Sequence, residues 1–284
     1  MNDLTNTVRN AFNFTVDKAP LTGPAGVATP FYGLFRSDTG EAVGRAVTAR
    51  YVPHTTDDVL ALAESAVAAF GEGSEAKCSF VNRHYVAIQP TKEHRVSVFG
   101  TTDNIFPRVI VSAGFDGTSF RASVGYYRDL CRNMHIMRSV KSTTVAIRHT
   151  GNLRLEMDDL LQTFSVLRES WGTLAAVVQR MQDAKVDLAA FLVQVYGEPG
   201  ESAAAVTRHK RRTEAVVSRL FAEQHRSGRP SATTVSAWEA FNAVQGYAQH
   251  ASSRRGAPDE TTRIILAGRD LSVRRAEQVA MLAI

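Results

Sequence analysis

Residues 77–154 hold twelve Lys or Arg against four Asp or Glu, in a stretch whose apolar and polar residues alternate as they do in β-strands. Cationic side chains at that density meet polyanions, and Tyr126, Tyr127, His84, His94 and His149 set rings and switchable charges among them. The chemistry this points to is retention of a nucleic-acid backbone. The candidate backbone contacts are Arg83, Lys92, Arg95, Arg108, Arg121, Arg128, Arg132, Arg138, Lys141 and Arg148, with His149 beside the last of them. A sheet with a well-hydrated outer face uses the same residues and stays open on composition alone.

Two short motifs sharpen the choice. In Arg128-Asp129-Leu130-Cys131-Arg132-Asn133 the two arginines can hold phosphates while Asn133 contacts sugar or base edges. The alternative is that Cys131 packs and Asn133 caps the end of a strand. Tyr126-Tyr127 places adjacent rings on opposite faces of a strand, so one is expected in the core and the other free to stack on a base. A further basic run, Arg208-His209-Lys210-Arg211-Arg212, opens a helix and reads as a solvated face or as a second phosphate site. Trp238, Phe241 and Tyr247 are expected in the core.

Catalysis has less support. The chain has no Walker-type phosphate loop, no GxGxxG opening a helix and no GxSxG elbow. Acidic residues are scarce where metal-dependent cleavage would require them, because the cationic stretch offers only Glu93, Asp103, Asp116 and Asp129. No catalytic residue, metal ligand or cofactor is therefore expected. An enzyme of another kind would need a pocket bringing His149 against an Asp or Glu.

The elements that must carry these residues are legible in outline. Residues 1–28 read as an arm ending in a loop rich in Gly, Pro and Thr. Phe31–Arg36 and Glu41–Val52 form a hairpin across Ser37-Asp38-Thr39-Gly40. Thr55 or Thr56 caps a helix with Asp57 and Asp58 in its first turn, and Gly71 and Gly73 end it. Strands follow at Cys78–Gln89, Arg95–Phe99 and Arg108–Phe115, the last meeting Phe120–Leu130 across Asp116-Gly117. From Leu153 the apolar spacing switches to the helical period and runs to Met181, about 40 Å of helix. Further helices are expected at 188–196, 203–224, 233–251 and 271–282. The fold class is α+β: a β-hairpin, a helix, a three-stranded antiparallel sheet and a long helix, followed by an α-helical C-terminal half. The divisions expected are an arm (1–28), a nucleic-acid-binding sheet-plus-helix core (29–152) and a helical region (153–284) that packs on the core and mediates oligomer contacts.

Composition fits a folded, non-membrane protein: 284 residues, 44% apolar, 21% charged, net charge +5. No apolar run reaches membrane-spanning length, and Met1–Lys18 lacks the basic start and apolar stretch of a secretion signal, so a cytoplasmic location is expected. Cys78 and Cys131 stand alone in strand-like contexts, which favours packed, reduced thiols.

Six segments in order resemble one family. They are Tyr32–Glu41, Arg50–Pro53, Asp116–Ser119, Arg128-x-x-Cys131-x-Asn133, Arg148–Asn152 and Trp238–Ala243. Together they are similar to the phage- and plasmid-borne proteins gathered as domain of unknown function 932, over residues from about 30 to the C-terminus. The label carries no chemistry; it implies a bacterial host cytoplasm and mobile DNA. The expected element order also resembles single-strand annealing proteins, phage lambda Beta and the eukaryotic recombination mediator among them. That resemblance implies an ATP-independent protein for homologous recombination. It would bind and anneal single-stranded DNA and self-associate into a ring or filament, with a phage exonuclease or host single-strand-binding protein as partner. The other reading is a non-enzymatic accessory protein that binds a host protein as a defence antagonist. No membrane partner is expected.

Overall fold

The computed structural model describes residues 2–70, 75–80, 83–89, 95–115, 120–131, 133–135, 144–147, 164–229, 234–251 and 270–284. The chain is α+β. Its described residues divide into two compact units, one formed by residues 1–91, 108–124 and 142–169 and the other by 92–107, 125–141 and 170–284. The division thus interleaves along the chain.

In the first unit, the segment expected as an arm forms helix α1 (Asn2–Ala11) and strand β1 (Val16–Thr22). Val8 and Phe12 explain the difference, because both are fully buried in a core shared with Val59, Leu62, Ala63 and Ala66 of helix α2 (Thr56–Phe70). Two such side chains stabilise the docked segment by roughly 1.5–3 kcal/mol each. Helix α2 starts as expected. Thr55 Oγ1 accepts from the Asp58 amide at 3.2 Å and Asp58 Oδ2 accepts from the Thr55 amide at 2.7 Å, a reciprocal cap.

Strand β1 pairs antiparallel with β2 (Ala28–Arg36), and β2 pairs with β3 (Val47–Thr48). The return strand expected over Glu41–Val52 is therefore reduced to two residues and a lone Phe35–Ala42 bridge. Gly44 supplies the reason. It sits at φ 74°, and a side chain there would run into the Phe115 carbonyl, which accepts from the Arg45 amide at 3.3 Å. The chain turns at Gly44 to seat Val43, Val47 and Tyr51 against Leu34 and Phe115.

The larger sheet runs in the order β10 (Thr144–Ile147), β8 (Phe120–Arg128), β7 (Asn104–Gly114), β5 (Arg83–Gln89) and β4 (Glu75–Phe80). The single strand expected over Cys78–Gln89 is two, β4 (Glu75–Phe80) and β5 (Arg83–Gln89), paired with Cys78 opposite Val86. Strand β5 pairs with β7 (Asn104–Gly114), and β8 (Phe120–Arg128) pairs with β10 (Thr144–Ile147). The Asp116-Gly117 turn lies outside the described residues. Pro107, which has no N–H for the ladder, stands in β7 where its partner changes from β6 (Val96–Ser97) to β5.

The second unit is built around one helix. In α6 (Ala237–Gly246) all ten residues are buried, and the chain continues as a π-helical turn over Tyr247–Ala251. A full capping box, Ser236 with Glu239, opens it. Trp238 and Phe241 are fully buried, as expected, among side chains of α3 (Phe164–Asp183), α4 (Leu188–Tyr196), α5 (Ala203–Arg226) and α7 (Leu271–Leu282). Helices α4 and α7 have the expected limits. Helix α3 covers the described residues of the helix expected from Leu153 to Met181 and is about 30 Å long at 1.5 Å per residue; residues 153–163 lie outside the described residues. Short strands complete the unit: β9 (Met134–His135) pairs with β8, and β11 (Lys185–Val186) pairs with β12 (Val235–Ser236). Among the described residues no helix is long and apolar enough to cross a membrane.

Candidate nucleic-acid interface

Strand β8 ends in Arg128, one of the backbone contacts expected from the sequence. Arg128 is 2% exposed. Its Nε and Nη2 donate to Asp103 Oδ2 at 2.9 and 2.6 Å, and its Nη1 donates to Glu223 Oε2 at 2.7 Å. The other oxygen of Glu223 accepts from Arg219 Nε at 3.1 Å. Two guanidinium groups thus meet two carboxylates, and no charge is left over for a phosphate. Arg128 is a structural ion, not a DNA contact.

Three more candidates are buried. Tyr126 is 0% exposed, and its hydroxyl donates to Gln245 Oε1 at 2.7 Å while its ring lies 5.2 Å from that of Trp238. It is the core member of the tyrosine pair and offers no platform to a base. Burial pushes its phenol well above the ordinary range. Asn133 is 0% exposed, and its Nδ2 donates to the Asn242 carbonyl at 3.1 Å while its Oδ1 lies 3.2 Å from His250 Nε2. It ties β9 to α6 and is closed to sugars and bases. Arg108 is buried in β7. An arginine so far from solvent cannot exchange counterions for DNA phosphates.

The remaining candidates fall into two groups. Arg95 and Arg121 are exposed and Tyr127 is half-buried. Arg83 begins β5, opposite Gly114. Lys92, Arg132, Arg138, Lys141, Arg148 and His149 lie outside the described residues.

Among the described residues, exposed cations cluster on α5. Arg208, Lys210, Arg211 and Arg212 are all exposed there within five residues. Arg208 faces Arg211 and Arg212 at three- and four-residue spacing, where like charges destabilise a helix by about 0.2–0.5 kcal/mol per pair. The run lies in the N-terminal half of the helix, where the helix dipole gives cations no help. Its compensation is slight: Lys210 Nζ is 3.9 Å from Glu214 Oε1, with both side chains in solvent. The guanidinium of Arg212 lies over the Tyr196 ring, 5.1 Å from its centre. The sequence signal for this surface was the basic run itself, which composition alone could not separate from an ordinary solvated helix.

Both cysteines are free. Burial pushes the Cys78 thiol up to about 12, and burial pushes Cys131 up to about 12 against the opposing pull of Arg128. Unfolded thiols ionise near about 8.5, so the folded state holds protons that the unfolded state releases above that pH. Their contribution to stability is intact below about pH 8.5 and is lost as pH rises towards 12, at about 1.4 kcal/mol per pH unit for each thiol. The urea midpoint should therefore fall between about pH 8.5 and 10, and less steeply in Cys131→Ala. Equal slopes would contradict this assignment. Among the described residues no group of three or more His, Cys, Asp or Glu is placed to hold a metal ion.

A family model described as Domain of unknown function (DUF932) matches residues 45–278. No curated protein and no solved structure matches the chain.

Proposed function

From the premise that the chain belongs to the DUF932 family, whose description assigns no chemistry, we propose that it binds single-stranded DNA and anneals complementary strands without a nucleotide or a metal ion. The observation that carries this reading is the exposed, nearly uncompensated run Arg208, Lys210, Arg211 and Arg212 on α5. Charges arranged against the helix's own electrostatics gain most when an external polyanion lies along them. Tyr196 beneath Arg212 adds a ring beside the phosphate track, which favours strands whose bases are unpaired. Annealing follows if subunits assembled as a ring or filament hold a strand by its backbone and leave its bases free.

Fluorescence anisotropy with a labelled oligonucleotide tests the binding step. The single strand should bind tighter than the matching duplex. Four neutralised phosphates should make log K fall against log salt with a slope of about −3, from about −0.7 per contact. Mixing complementary labelled strands should then show pairing accelerated by the protein in the absence of nucleotide. Binding that ignores salt, or that prefers the duplex, would remove the reading.

A further inference from the structure

We propose that the second unit carries a site for one nucleotide, an aromatic base with its phosphate, in the cavity bounded by α4, α5, the π-helical turn and the start of α7. The cavity has a volume of about 310 Å³, at the small end of the range that ligand sites occupy. Its polar wall holds two arginines, Arg212 and Arg275, and two phenol rings, Tyr196 and Tyr247, over an apolar floor that includes Val195. The ligand class is that of the nucleic-acid reading on which the inference rests; the pocket shares Arg212 and Tyr196 with the phosphate track on α5 and adds Arg275, Tyr247 and an enclosed volume.

Each wall has a separate chemical consequence. Guanidinium groups stay protonated at every accessible pH and bind phosphate oxygens in pairs. Asp270 also faces the cavity, but its Oδ1 accepts from the Ser272 amide at 2.9 Å and from the Ser272 hydroxyl at 2.7 Å, capping α7. Its single negative charge is outnumbered by the two arginines. A bare anion would satisfy the arginines and leave the rings idle. An uncharged aromatic would do the reverse. Only a ligand with both parts uses the whole wall.

The Tyr196 hydroxyl is enclosed without a hydrogen-bond partner of good geometry, although the Ser272 side chain lies close enough to favour its anion. Burial pushes this phenol up, against the pull of Arg212, so it remains a neutral donor. A base entering the cavity reaches this donor only by displacing what covers it, and a ring nitrogen or carbonyl then supplies an acceptor of good geometry. The nucleotide can come from solution or from the end of a strand, and the recognition chemistry is the same.

The test is calorimetric titration of the full chain with a nucleoside 5′-monophosphate, with the unphosphorylated nucleoside, and with inorganic phosphate. The monophosphate should bind at least about tenfold tighter than either fragment. Arg275→Ala, at an exposed position on α7, should weaken it about tenfold or more, and Tyr196→Phe should weaken it while leaving the circular dichroism unchanged. A strand end as the source is shown if a 5′-phosphorylated oligonucleotide displaces the monophosphate and its 5′-hydroxyl counterpart does not. Displacement by neither shows a free nucleotide as the source. Binding no tighter than inorganic phosphate, or indifference to Arg275→Ala and Tyr196→Phe together, would overturn the site. Salt-dependent oligonucleotide binding without monophosphate binding overturns this inference alone. Monophosphate binding without oligonucleotide binding overturns only the strand-binding reading.

Discussion

Arg128→Ala should destabilise the protein by about 3–5 kcal/mol, enough to remove a large fraction of the stability of an ordinary domain. The substitution takes away the guanidinium that bridges Asp103 and Glu223 through 2.6 and 2.7 Å contacts. Asp103 is then left buried without its cation, and Glu223 keeps only Arg219 at 3.1 Å. Desolvated carboxylates left in that state cost far more than the pair's own attraction is worth. Arg128→Lys should recover part of the loss, since one ammonium cannot reproduce three directed N–H bonds to two carboxylates. Urea denaturation measures both. A loss below about 1 kcal/mol for Arg128→Ala would return Arg128 to the list of surface cations.

Reversing the helical cations should act on ligand and leave the fold intact. Arg208→Glu, Lys210→Glu and Arg211→Glu together change three exposed side chains that make one marginal ion pair among them. Little stability is at risk, because repulsion among the three is relieved as the long Lys210–Glu214 contact is lost. Removing three of four phosphate contacts should lower affinity for a single strand about a hundredfold at physiological salt. The salt slope should flatten to about −1 or less over the same titration. A variant with unchanged affinity and slope would show that α5 is only a solvated helix.

How far the residues foretold this structure depends on the range over which each feature is decided. Helices α4 and α7 were legible because caps and apolar spacing are local: Asp187 and Asp270 cap them and Gly197 ends α4. The β4–β5 pair read as one strand because Cys78–Gln89 contains neither Gly nor Pro to interrupt the alternation. Gly44 broke an expected strand through a contact with Phe115, far along the chain. The N-terminal segment looked like an arm because its anchor, Phe12, finds its core among residues more than forty positions later.

The same distinction governs the site. Arg128 shows its charge in the sequence, but its partners stand 25 and 95 residues away. Strand alternation required that one of Tyr126 and Tyr127 be buried, and Gln245, 119 residues on, decides which. The α5 run was visible as charge. Its exposure became visible only in the structure, because Arg208 and Arg212 share an i, i+4 row with the buried Val216 and Leu220 and spacing alone does not separate the two pairs. The pocket had no sequence signature, since its two rings and two arginines come from four separate elements.

Photo-crosslinking of the full chain to a thymidine-analogue oligonucleotide, followed by mass spectrometry of the attached peptides, locates the strand directly. Crosslinks concentrated in Ala203–Arg226 and at Tyr196 are the predicted result. Crosslinks confined to residues 77–154, or none above those formed by the charge-reversed protein, would contradict it.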